Sequence, residues 1–250
     1  DLGIMDGLLP KRYVHFINKL VLPNYFRKGK TTSAFWIMPV SFSGDTRPFL
    51  NILNLRYTTA PPAIEQLFPA VRNLHLIKAV YDNEARVYAD PDALPRAFIV
   101  HKAVFESDEQ HVIEVMKKIK EGLKAVAVIQ HMAVPELVEQ LRDTPLISQS
   151  TASILSYRPN TVALNVHMTN PGFLILADSY HPDWRCFVNG KETKIFLTDA
   201  LIRSVFLPVG DHTVVFRFQP IWFYTGAFVS LISVIIAGRL FLLNKKQSNT

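Results

Sequence analysis

The sequence predicts an α+β region followed by an antiparallel β-sandwich and one C-terminal transmembrane helix. Three observations carry that expectation. A long uncharged apolar run closes the chain, short alternating segments separated by turn signals fill residues 152–218, and helical and extended patterns mix irregularly before residue 150. The 250 residues then divide into a basic juxtamembrane segment at 1–30 and an α+β region at 31–150. A sandwich at 151–219, a transmembrane helix at 220–243 and a cytoplasmic tail at 244–250 complete the division.

The closing run decides the class. Residues 218–238, FQPIWFYTGAFVSLISVIIAG, form 21 consecutive positions without a formal charge. As a helix rising about 1.5 Å per residue they span roughly 30 Å, the thickness of a bilayer's hydrocarbon core. Trp222, Phe223 and Tyr224 stand at one end, where amphipathic rings favour the headgroup level, and Arg239 is placed to snorkel at the other. The alternative is a buried central helix of a soluble protein, but such helices rarely run this long without a polar face. No other stretch reaches 18 apolar residues, so one span is expected.

Charge is informative by position. The net charge is +6, yet residues 11–30 alone hold Lys11, Arg12, Lys19, Arg27, Lys28 and Lys30 without an acid. Arg239, Lys245 and Lys246 follow the apolar run, and the rest of the chain is slightly acidic. Basic residues confined to two short stretches do not make the broad cationic face of a nucleic-acid domain, so no nucleic-acid partner is expected. They suit membrane edges, and the bilayer is the expected partner. By the positive-inside rule the C-terminus is cytoplasmic and the preceding domain extracytoplasmic in the cell membrane. The segment at 11–30 has two readings: an amphipathic element with Val14, Ile17, Leu20 and Val21 on one face, whose six cations meet lipid phosphates, or a solvated basic joint. A chain that opens on Asp1, with no signal-peptide pattern, is expected to be a piece of a longer protein. One cysteine, Cys186, excludes an internal disulfide.

The sandwich is read from its strands. Val162, Leu164, Val166 and Met168 alternate onto one face of 161–168. Asn170-Pro171-Gly172 makes a turn, and 173–177 is a short buried run. Residues 183–188 lead into Asn189-Gly190, a strong hairpin signal, with 194–197 expected to return. Residues 203–207 and 212–218 flank a turn at 208–211. Upstream, Ser107-Asp108-Glu109-Gln110 fits a capping box that opens a helix through about Gly122, with Val112, Val115, Met116 and Ile119 on its apolar face. Residues 125–129 read as a strand, Pro135 opens a second helix through Leu141, and 76–81, 85–88 and 97–100 read as further strands.

At this point the residues resemble a family. Ser179, Tyr180, Pro182, Trp184, Gly190, Lys191, Leu207, Pro208, Gly210, His212, Val214 and Pro220 match the pattern of the carboxy-terminal outer domain of YfhO-like bacterial membrane proteins. Asp183, Asn189 and Val209 depart from it, the first two by turn-compatible changes. Residues 53–57, 94–98 and 11–13 also resemble family stretches. The resemblance implies a polytopic GT-C protein that moves a sugar from a polyprenyl-phosphate donor to an envelope glycan. It also implies that this chain holds the terminal outer domain and last span, with the catalytic centre elsewhere and the remaining transmembrane part of the parent as a partner. No catalytic residue, cofactor or metal is then expected in this chain, and the sugar donor belongs to the parent.

The residues agree with that division of labour. No Ser-His-acid order, phosphate loop, His-Glu-x-x-His or paired-cysteine pattern occurs, and Asp178, His181 and Asp183 match no trusted metal spacing. The candidate glycan contacts are Tyr180, Trp184, Asp178 and Arg185, since aromatic rings beside polar groups can stack on a sugar and bond its hydroxyls. The plainer reading has Trp184 in the sandwich core and Tyr180 closing the turn. A second functional class stays open beside the enzyme: a non-catalytic, membrane-anchored module that binds a glycan or an envelope protein.

Overall fold

The structure, a computed structural model, describes residues 11–21, 46–60, 75–80, 85–144 and 149–247. Within them the chain is mostly β-sheet with a few helices and one long C-terminal helix. The helices are α1 (Lys11–Phe16), α2 (Arg47–Asn51), α3 (Glu109–Lys118), α4 (Pro135–Arg142) and α5 (Ile221–Gln247). The early strands are β1 (Tyr57–Ala60), β2 (His75–Val80), β3 (Ala85–Ala89), β4 (Ala97–Val100), β5 (Lys102–Glu106) and β6 (Val126–Gln130). Then follow β7 (Thr151–Arg158), β8 (Thr161–Met168), β9 (Gly172–Ser179), β10 (Trp184–Val188) and β11 (Lys191–Thr193). The last are β12 (Phe196–Thr198), β13 (Ile202–Leu207) and β14 (Gly210–Phe218).

Two sheets form the body. One is antiparallel, in the order β11-β10-β14-β8-β7. The other runs β4-β9-β13-β12-β6-β5 and is antiparallel except for the parallel pair β5 and β6. Strands from both sides of residue 150 therefore share one sheet. A separate antiparallel sheet, β1-β3-β2, is made early in the chain.

The six-stranded sheet is covered on both faces, and its sequence says why. Phe173, Leu174, Ile175 and Leu176 of β9 are all fully buried, with no polar residue to turn outward. Leu174 and Leu176 face the five-stranded sheet, where they meet Val162, Leu164, Val166, Met168, Val214 and Phe216. Phe173 and Ile175 face a helical layer containing Val112, Met116, Leu141 and Leu123. Phe16, Ile17 and Leu20, from α1 and the π-helical turn Ile17–Val21, join that layer. Phe16, Ile17 and Leu20 are thus spent on the protein's own core, while Arg12 and Lys19 are exposed. Arg27, Lys28 and Lys30 lie outside the described residues.

Local signals work as expected, with two differences. The cap of α3 is Asp108, whose carboxylate accepts from the backbone N–H of Gln110 and His111 at 2.9 and 3.0 Å, and not Ser107. The strand that returns from Asn189-Gly190 is β11, directly opposite β10, whereas β12 has already crossed to the other sheet. Gly172 is required where it stands, because a Cβ there would lie 2.5 Å from the Val100 carbonyl oxygen. Residues 221–239 of α5 are long and apolar enough to cross a membrane and are not buried within the molecule.

Candidate functional site

The last strand of the sandwich leads into α5 without slack, and two loops are fastened where it does so. The Phe218 N–H donates to the Asn160 carbonyl at 2.9 Å, and the Gln219 N–H donates to the Asp183 carbonyl at 2.8 Å. Pro220 follows, and its carbonyl accepts from Phe223 and Tyr224 in the first turn of α5. The β7–β8 turn and the turn between β9 and β10 therefore form the span-proximal end of the sandwich.

At that end Asp178 gathers side chains from three distant parts of the chain. Its Oδ1 accepts from Arg96 Nε and Nη2 at 2.9 and 2.7 Å, and its Oδ2 accepts from Arg203 Nη2 at 2.7 Å. The Tyr157 hydroxyl lies 3.2 Å from both oxygens. Arg203 also donates to the Ser179 carbonyl at 3.2 Å and lies 3.9 Å from the Trp184 ring centre. Arg96 stacks on Tyr157 at 4.2 Å. Such cation–π and charge-assisted contacts strengthen as water is excluded. Arg203 has a side chain 2% exposed, and its Nε is buried without a hydrogen-bond partner.

The strand pattern accounts for this burial. Arg203 precedes Val205 and Leu207 on the face of β13 that meets the other sheet, so alternation sends the guanidinium inward. Burial pulls its pKa below the ordinary value, against the opposing pull of Asp178 and Tyr157. Burial, and then the charge of Asp178, raises the Tyr157 hydroxyl. Burial pushes the nearby Cys186 thiol up to about 12, with the Arg203 charge acting the other way.

The four candidate glycan contacts do not form one surface. Asp178 and Trp184 come together around Arg203, and Trp184 also packs on Phe218 with ring centres 5.4 Å apart. Tyr180 stands in the turn, with the Arg12 guanidinium 5.8 Å from its ring centre. The basic segment at 11–30 thus reaches the aromatic turn through Arg12. Arg185 leaves β10 on the opposite face from Cys186 and pairs with Glu192 at 2.6 Å. No motif in the sequence marks Arg96, Tyr157 and Arg203 as members of this cluster. The single signal for them was a lone arginine at the head of the apolar strand 203–207.

Two open clefts accompany this end and its opposite. One, of about 520 Å³, lies beside Arg96 and is lined by Asn54, Arg56, Tyr57 and Pro95. The other, of about 370 Å³, lies on the outer face of the five-stranded sheet, where His167 Nδ1 is 2.6 Å from Asp211. Among the described residues no group of three or more His, Cys, Asp or Glu side chains is placed to hold a metal ion. Around Asp178 the arrangement is one of charge pairing and stacking: it fixes the turn 179–184 and presents Arg96 and Tyr157 at the surface.

Comparison with known proteins gives one coarse result. Over 96 residues the chain is 25% identical to the uncharacterized protein YfhO of Bacillus subtilis (strain 168). The match takes in 38% of this chain and 11% of that protein's length. No family model and no solved structure matches. With the long apolar helix, the similarity associates the chain with a membrane and with a YfhO-like sequence.

Proposed function

We propose that this chain is an extracytoplasmic accessory domain and final span of a YfhO-like, polyprenyl-phosphate-sugar-dependent glycosyltransferase acting on cell-envelope glycans. The C-terminus is cytoplasmic, and the catalytic centre and donor site belong to the remaining transmembrane part. One observation supports the reading most: the last strand enters α5 through two residues, Gln219 and Pro220, with the loops at Asn160 and Asp183 bonded beside it. A domain so joined stays over the membrane surface, where a lipid-linked sugar would be handled. Its role is to cover or shape that outer site. Contact with the acceptor falls to the turn carrying Tyr180 and to the surface formed by Arg96 and Tyr157, which Asp178 holds in place.

The experiment uses the full-length parent protein, purified and given a labelled polyprenyl-phosphate sugar. One form is intact, and another lacks residues 1–218 but retains α5. Transfer or donor hydrolysis by the intact form, lost on deletion while the membrane part stays folded, is the expected result. An intact protein that neither binds nor consumes any such donor overturns the reading and leaves a membrane-anchored binding module.

A further inference from the structure

Three arginines at the span-proximal end stand on one rung of the five-stranded sheet. Arg158 of β7 is opposite Thr161 of β8, Thr161 is opposite Arg217 of β14, and Arg217 is opposite Arg185 of β10. Residues opposite one another share a face. Their neighbours Val162, Phe216 and Cys186 are buried between the sheets, so the rung faces outward. With strands about 4.8 Å apart, Arg185 and Arg217 start about 5 Å from each other and Arg158 about 10 Å further along. Like charges placed directly across strands repel, and this rung carries three. Glu192 offsets one of them through Arg185. Arg217 lies 5.3 Å from the Phe187 ring centre, and among the described residues neither Arg217 nor Arg158 has a carboxylate partner.

The position of the rung supplies the missing anion. Arg217 lies four residues before the first residue of α5, and Phe218 and Gln219 tie the loops of Asn160 and Asp183 to the same level. Three extended residues cover about 10 Å. That is within reach of the headgroup layer for a side chain as long as arginine, whose planar fork binds phosphate in a bidentate manner. We propose that Arg158, Arg185 and Arg217 bind the phosphates of anionic membrane lipids, so that the outer face of the sandwich leans on the bilayer. The inference rests on α5 lying in the membrane and is independent of sugar transfer.

The test reconstitutes the full chain in phosphatidylcholine vesicles with trace spin-labelled phosphatidylglycerol or phosphatidylcholine, and measures the motionally restricted fraction of each. A preference of at least about threefold for phosphatidylglycerol is expected, weakened by salt. It should fall substantially in the triple variant R158Q/R185Q/R217Q, survive in R158K/R185K/R217K, and persist in K245Q/K246Q. Circular dichroism of each variant confirms that the sheets are intact. No preference in the native chain overturns the proposal, as does a preference unchanged in the glutamine variant or abolished by K245Q/K246Q alone. Because no donor sugar is present, this outcome is read separately from any glycosyl transfer.

Discussion

Asp178 lies in a strand of the six-stranded sheet and Asp199 in a turn between two of its strands, and their surroundings are opposite. Asp178 is the penultimate residue of β9 and is surrounded by two arginines and a tyrosine. Asp199 sits in the β12–β13 turn, wholly buried, with one oxygen accepting from the Val128 N–H at 2.8 Å and the other without a partner. Burial pushes its pKa up to about 7, only partly opposed by that hydrogen bond. The difference teaches what a buried carboxylate requires. Two guanidiniums and a hydroxyl bond both oxygens of Asp178, whereas Asp199 is offered one N–H and burial favours its protonated form.

The sharpest way to break the comparison is Asp178→Ala. Arg203 would keep its burial and its stack on Trp184 but lose its carboxylate, and a stranded buried charge costs about 3–5 kcal/mol. Equilibrium denaturation measures this, and a loss below about 1 kcal/mol would mean that stacking alone holds the guanidinium. Asp199→Asn should act in the other direction. The amide oxygen keeps the bond to Val128 and the charge is removed, so stability at pH 8 rises by about 1–3 kcal/mol.

The pH dependence of Asp199 has a definite sign. A carboxyl whose folded pKa is raised from 3.8 to about 7 contributes stability that is full below the lower value and lost as pH rises through the upper one. Melting temperature followed from pH 4 to pH 8 should carry this component, and Asp199→Asn should flatten it.

The smallest effect concerns the same turn. Asp199 and Ala200 both have positive φ, +48° and +60°, the pair of left-handed residues that a tight hairpin needs. Ala200→Gly relieves that conformation at the expense of a small buried methyl, for a net gain of about 0.5 kcal/mol. Unfolding of Asp199→Asn with and without Ala200→Gly would show whether the turn then behaves like Asn189-Gly190.

Those two turns also mark where sequence reading succeeds. Asn189-Gly190 takes the same left-handed pair, φ +50° and +82°, and is legible because both residue types favour it. Asp199-Ala200 does the same with an alanine that disfavours it, so nothing local announces the turn. Residues 161–168 are legible because one face is covered and the other wet, which leaves strict alternation. The long apolar helix is legible from length alone. The pairing of β4 with β9 is not, because every residue of 173–176 is apolar and points to no partner. Around Asp178, the sequence marked the aspartate and Trp184 but not Arg96, Tyr157 or Arg203, which reach it only through tertiary pairing.

The order of synthesis gives the strand positions a further meaning. β13 lies between β9 and β12, and β14 lies between β10 and β8, so the last strands made are interior members of both sheets. Until residues 202–218 have left the ribosome, β9 and β8 each keep an open edge of unpaired backbone groups, a template for wrong pairing and aggregation. α5 is translated immediately afterwards. Completion of the domain and delivery of its hydrophobic anchor therefore follow one another within a single short interval of translation. A nascent chain arrested before β13 would carry neither a closed sandwich nor the helix that follows it, and would present quality control with open sheet edges.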